Sequence, residues 1–150
     1  FLNRITDGNF LIIRLGKVFS IKKGDGTLFD EMAAILSKGG SVKAAHDQIF
    51  CPVWINDVIE AVTALQTISA TGIYNVCSIK PFSRYTLACE LAKAMGRDES
   101  QVEPVSIDTI DPSVKRPKNT SMIPERLSSK TGLFFNNIDE CIKKVADNWR

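Results

Sequence analysis

The chain has 150 residues, of which 44% are hydrophobic and 24% charged, with a formal net charge of +2. That suits one ordinary globular domain with a sizeable core and leaves no charge excess to attract nucleic acid or a membrane surface. No apolar run approaches the roughly 18 residues a membrane span requires.

In chain order, Phe1 to Asp7 reads as the tail of a helix closed by a left-handed Gly8, which predicts a chain truncated ahead of Phe1. Phe10 to Leu15 is an apolar run broken only by Arg14 and bounded by Gly8 and Gly16, the pattern of a strand covered on both faces in a parallel sheet. Ser20 to Gly26 is polar loop. Thr27 precedes a helix whose Leu28, Met32, Ile35 and Leu36 share a face and which Gly39 and Gly40 stop. Ser41 to Ala45 reads as a short strand, and Asp47 to Pro52 as irregular.

A second helix is expected from Asn56 or Asp57 to about Ser69, with Asp57 at its head as a cap. Gly72 to Ser78 is another buried strand, and Ser83 caps a helix that Gly96 ends. Gln101 to Asp108 is extended, Pro112 to Lys118 a loop, Pro124 the first turn of a short helix ending at Gly132, and Ile138 to Trp149 a last helix prefaced by a capping turn at Asn136 and Asn137. Strands alternating with helices predict an α/β chain with at least two parallel strands.

Ligands in open α/β sheets bind beyond the carboxyl ends of the strands, which singles out Arg14 to Ser20. Gly16 would let backbone approach a flat ring, although the same residues also read as an ordinary strand exit. Arg116, in Lys115-Arg116-Pro117-Lys118, offers a planar fork of donors suited to a pyrophosphate, with the flanking lysines adding positive potential. Lys17 could contact phosphate or face solvent. Gln48 and Trp54 could line a substrate cleft, Trp54 equally well being core. His46 and Asp47 form a surface pair. Cys51, Cys77, Cys89 and Cys141 have no C-x-x-C spacing and only one histidine in the chain, so no metal site is predicted, and a reduced, cytoplasmic protein is expected.

The order of Arg14, Val18-Phe19-Ser20, Asp47-Gln48, Pro52, Asp57, Gly72-Ile73-Tyr74-Asn75, Ser83 and Arg116-Pro117-Lys118-Asn119-Thr120, then Leu127 and Gly132, resembles the second half of the dTDP-4-dehydrorhamnose reductases. These are extended short-chain dehydrogenase/reductases related to the NAD-dependent epimerases and dehydratases. Val18-Phe19-Ser20 departs from the family's Val-Tyr-Gly-like turn.

The resemblance implies part of a Rossmann-like parallel sheet (1–20 and 56–96) plus a small C-terminal substrate-binding subdomain (21–55 and 97–150). It places Leu15, Gly16 and Val18 beside an NAD(P) cofactor and Lys17, Gln48, Trp54 and Arg116 beside a nucleotide-sugar substrate. The Gly-rich dinucleotide fingerprint and the Tyr-x-x-x-Lys pair of such enzymes occur nowhere in these residues. The expected parent is thus a 4-keto sugar nucleotide reductase, this chain being inactive alone, with no catalytic residue of its own and no tight hold on a cofactor. Its partners are a missing N-terminal half and, through exposed strand edges, further copies of itself. Epimerases, dehydratases and a non-catalytic regulatory relative, such as the regulatory subunit of methionine adenosyltransferase, share the same outline.

Overall fold

The computed structural model describes residues 8–110 and 112–150. The helix tail expected over Phe1 to Asp7 lies outside them. Strand β1 (Leu11–Leu15) pairs in parallel with β6 (Gly72–Val76), with Ile13 opposite Tyr74. After Gly16 the chain continues as β2 (Lys17–Phe19), which changes partner and pairs in parallel with β5 (Pro52–Trp54). The expected strand exit at Arg14 to Ser20 is therefore a strand that switches neighbours. A third parallel pair joins β3 (Val42–Ala45) to β8 (Val102–Val105), and β4 (Ile49–Phe50) runs antiparallel to β7 (Phe82–Ser83). Residues 47–52 are thus not irregular: their two strands are too short to show periodicity.

The helices are α1 (Leu28–Ser37), α2 (Ile55–Thr67), α3 (Arg84–Ala94), α4 (Ile107–Ile110), α5 (Glu125–Thr131) and α6 (Ile138–Asn148). Local chemistry accounts for their ends. Ser83 Oγ accepts the Thr86 N–H at 2.9 Å as the N-cap of α3, and Gly132 closes α5 with φ +73°. Thr27 occupies the N-cap position of α1 without a side-chain bond; instead the buried Asp30 carboxylate accepts the Gly24 and Gly26 N–H groups at 2.7 and 2.9 Å and ties the preceding loop to the helix.

The core has two parts. Phe19, Phe29, Met32, Leu36, Leu87, Leu91, Ile142 and Val145 pack α1, α3 and α6 around β3 and β8. Val53, Leu65, Tyr74, Val76, Leu127 and Phe135 join α2 and α5 to β1 and β6. Packing places α3 with the first group and α5 with the second. β1 also differs from expectation. Leu11, Ile12 and Ile13 are half-buried while Arg14 and Leu15, at the carboxyl end, are exposed; Leu11 and Ile13 pack against the second core. No helix among the described residues is long and apolar enough to cross a membrane.

Candidate functional site

β4 is the scaffold of the site. On one side it pairs with β7; on the other it takes up residues 118–120, with the Ile49 N–H donating to the Lys118 carbonyl at 2.7 Å and the Thr120 N–H to the Ile49 carbonyl at 2.9 Å. Asn119 shapes that return, its Oδ1 accepting the Ser121 N–H at 2.9 Å in an Asx turn. The next residues are stitched down as well. Asn75 Nδ2 donates to the Ile123 carbonyl at 3.0 Å, and the Arg126 guanidinium lies over the Tyr74 ring at 4.5 Å.

Asp47 locks this assembly. Its carboxylate accepts the Ile107 N–H and the Ser106 hydroxyl, both at 2.8 Å, and pairs with Lys118 Nζ at 2.9 Å; Lys118 also reaches Asp108 at 2.7 Å. The Ile107 amide, with Lys118 and Ser106 behind it, holds Asp47 well below the ordinary carboxylate range. Its hydrogen bond to Asp108, then that to Asp47, raises Lys118. Lys118 is thus a structural clip rather than a free source of positive potential. Asp47 turns to Ser106 and Lys118 rather than pairing with its exposed neighbour His46.

Two adjoining clefts open on this scaffold. One, of about 370 Å³, is lined by Leu15, Gly16, Lys17, Gln48, Phe50, Arg84, Thr120 and Met122. The other, of about 340 Å³, is lined by Lys17, Lys43, Gln48, Arg84, Ile107, Ile110 and Arg116. Both fall in the size range of small-molecule sites. Among the described residues lining them there are four cations and no carboxylate. Such a surface selects an anion, and the two isoleucines give the second cleft an apolar wall.

The structure brings together Leu15, Gly16, Lys17, Gln48 and Arg116 of the residues singled out from sequence. Val18 and Trp54 it does not. Val18 packs on the second core cluster, and Trp54 is half-buried on the first, with Lys144 Nζ 5.4 Å from its ring centroid. Alternation along β2 turns Val18 to the face opposite Lys17, while Trp54, opposite Phe19 in the register, lies with it on the first core. Gly16 has a different reason to be glycine from the one expected. A Cβ there would lie 2.1 Å from the Cys51 carbonyl oxygen and 2.9 Å from Cys77 Cβ, so what approaches it closely is the protein itself. The Cys51 and Cys77 thiols both donate to the Met122 carbonyl at 3.5 Å, and burial pushes Cys77 up to about 12, an inert structural pair.

Sequence reasoning missed Arg84, Lys43 and Thr120. Only Arg84 carried a signal: a cation at the first position of a helix opposes the positive end of the helix dipole.

The chain matches the family model of the RmlD substrate binding domain over residues 4–150. Among solved structures, dTDP-glucose 4,6-dehydratase from Bacillus anthracis, in complex with NAD, superposes with a TM-score of 0.79 at 8% identity, covering 98% of this chain and 46% of that one. A dTDP-4-dehydrorhamnose reductase from Clostridium acetobutylicum gives 0.76 at 23% identity, covering 91% of this chain and 48% of that one. The same reductase from Bacillus anthracis, in complex with NADP, gives 0.74 at 20% identity over 90% and 47%. The chain thus spans about half the length of these structures, and it shares their Rossmann-like α/β fold. A comparison with curated protein sequences finds no match.

Proposed function

The chain belongs to the RmlD substrate binding domain family, and from that membership we propose that it forms the sugar-nucleotide-binding half of an NAD(P)-dependent reductase acting on a dTDP-linked 4-keto sugar. The observation that carries this reading is the convergence of Lys17, Gln48, Arg84 and Arg116 on two joined clefts at the carboxyl end of β1. The diphosphate lies against the cations, the sugar in the cleft beside Leu15, and the base against Ile107 and Ile110.

NAD(P), when bound, supplies the hydride. Leu15, exposed at the end of β1, offers an apolar surface for its ring, whereas Gly16 and Val18 are committed to protein contacts. The fit to a cofactor is therefore confined to one residue, and the remaining cofactor contacts and the proton-transfer groups belong to a partner segment of the same protein. What these residues do is bind and orient. The Arg116 fork holds phosphate, Gln48 presents an amide to the sugar or phosphate, and Asp47 with Lys118 fixes the loop that carries Arg116.

The test is calorimetric titration of the chain with a dTDP-sugar. Arg116→Ala is expected to weaken binding about tenfold to a hundredfold, the worth of one charge-assisted bidentate contact, and Arg116→Lys to recover part of that. The wild-type chain should not oxidise NADPH in the presence of the substrate. Equal affinity in Arg116→Ala and wild type, or turnover by the chain alone, would overturn the reading.

A further inference from the structure

Three residues line both clefts: Lys17, Gln48 and Arg84. A ligand long enough to occupy the two must pass over them. Arg84 is the most firmly built of the three at its backbone. It opens α3, and its N–H donates to the Gln48 carbonyl at 3.2 Å. Just before it, Ser83 is held both by its cap bond to Thr86 and by its pairing with Ile49.

The side chain is held far less firmly. Its one ion pair among the described residues is with Glu31 Oε2 at 3.6 Å, beyond good hydrogen-bond length, and the Glu31 side chain is 59% exposed. A guanidinium at the positive end of a helix, next to three other cleft cations and tied among the described residues to a solvated glutamate, breaks the local charge rules. Such breaches are expected where a ligand supplies the missing charge.

We infer that Arg84 is the phosphate-counting residue of the site: it leaves Glu31 and takes a bidentate hold on a nucleoside diphosphate, distinguishing it from ligands with fewer phosphates. This rests on the sugar-nucleotide reading above and adds to it a residue and a competition. A phosphate bound by a planar fork is the stronger partner, and an exposed 3.6 Å pair is surrendered at little cost. Glu31 thereby acts as a place-holder whose removal favours the ligand.

The experiment is calorimetry of the chain with thymidine diphosphate, thymidine monophosphate, thymidine and inorganic pyrophosphate. Arg84→Ala is expected to weaken thymidine diphosphate about tenfold or more and thymidine by less than about twofold, with Arg84→Lys in between. Glu31→Gln is expected to tighten thymidine diphosphate by about twofold to fivefold, the worth of an exposed pair, and to tighten pyrophosphate likewise. If Arg84→Ala binds the diphosphate as wild type does while Arg116→Ala has lost it, the role of Arg84 is overturned and the sugar-nucleotide reading stands. If the wild-type chain binds neither diphosphate nor pyrophosphate, both fail. Should Arg84→Ala not fold, Glu31→Gln decides alone, because unchanged or weaker diphosphate binding there contradicts the exchange of partners.

Discussion

Asp47 and Asp57 bracket β4, β5 and the first turn of α2, and they meet opposite circumstances. Asp47, at the cleft, is half-buried and saturated with donors from Ser106, Ile107 and Lys118, all distant in sequence. Asp57, at the core, is 5% exposed; one of its oxygens accepts Asn137 Nδ2 at 3.1 Å and the other has no hydrogen-bond partner among the described residues. The ionisation equilibria follow. Its donors hold Asp47 low, while burial raises Asp57 against the pull of Asn137. One carboxylate assembles a site from remote segments; the other is a charge the core tolerates incompletely.

The largest effect expected from this contrast is that of Asp47→Ala. It frees the Ile107 amide and the Ser106 hydroxyl and leaves Lys118 with Asp108, so Ser106, Ile107 and Lys118 lose their common tie to the segment ahead of β4. A fall in melting temperature of roughly 5–10 °C by circular dichroism is expected, with dTDP-sugar affinity lost alongside it. Asp47→Asn keeps an acceptor for the amide and should lie between. If Asp57→Ala costs more than Asp47→Ala, the contrast is wrong.

How much of this was legible in the sequence follows from the range of the interactions. β1, β6 and the longer helices announce themselves by local pattern, and the ends at Ser83 and Gly132 by local chemistry. The cleft does not. β4, β5 and β7 have two or three residues each, too few for a periodicity, and they are held by partners far along the chain. Arg116 and Lys17 were singled out by their chemistry and place in the chain, and Gln48 and Leu15 largely by an ordered resemblance; nothing local in the sequence signals that the four converge. Val18 and Trp54 line neither cleft among the described residues, and which core each one meets follows only once the strand register is known. Arg84 was overlooked because the serine before it reads so plainly as a helix start. Gly16 was read as making room for a ligand, and its close neighbour is the carbonyl of Cys51, between two short strands that sequence alone did not reveal.

A second, smaller effect lies in the pH dependence of unfolding. Asp47 sits below its ordinary value of 3.8 in the folded chain, so its contribution is complete above about pH 4 and drains away as the pH falls further. Asp57 sits above the same value, so its contribution is complete at acid pH and is lost as the pH rises past 4. Stability should therefore fall steeply on acidification and soften gently towards neutrality. Asp47→Asn should flatten the acid limb in part only, since Asp98 and Glu140 are also held low by their partners, Ser100 and Lys144. Urea unfolding between pH 2 and 8 measures this. An acid limb unchanged in Asp47→Asn would mean that its contacts to Lys118 and Ile107 do not persist in solution.

The smallest effect has the more telling sign. Asp57→Asn keeps an oxygen to accept from Asn137, keeps the volume of the side chain, and removes the charge that burial opposes. It also forfeits the attraction between a carboxylate and the first turn of α2, a term of about 0.3–1 kcal/mol at most exposed helix starts. Because burial is the dominant influence on Asp57, its removal outweighs that loss. Asp57→Asn should then be slightly more stable than wild type at pH 7, by about 1–2 °C in melting temperature, and the difference should shrink on acidification as the wild-type carboxyl becomes protonated. Asp57→Ala should fall below both at every pH, since it strands the Asn137 amide. Were Asp57→Asn the less stable protein at pH 7, the helix dipole and the neighbouring amides would outweigh burial, and Asp57 would be an anchor of the same kind as Asp47.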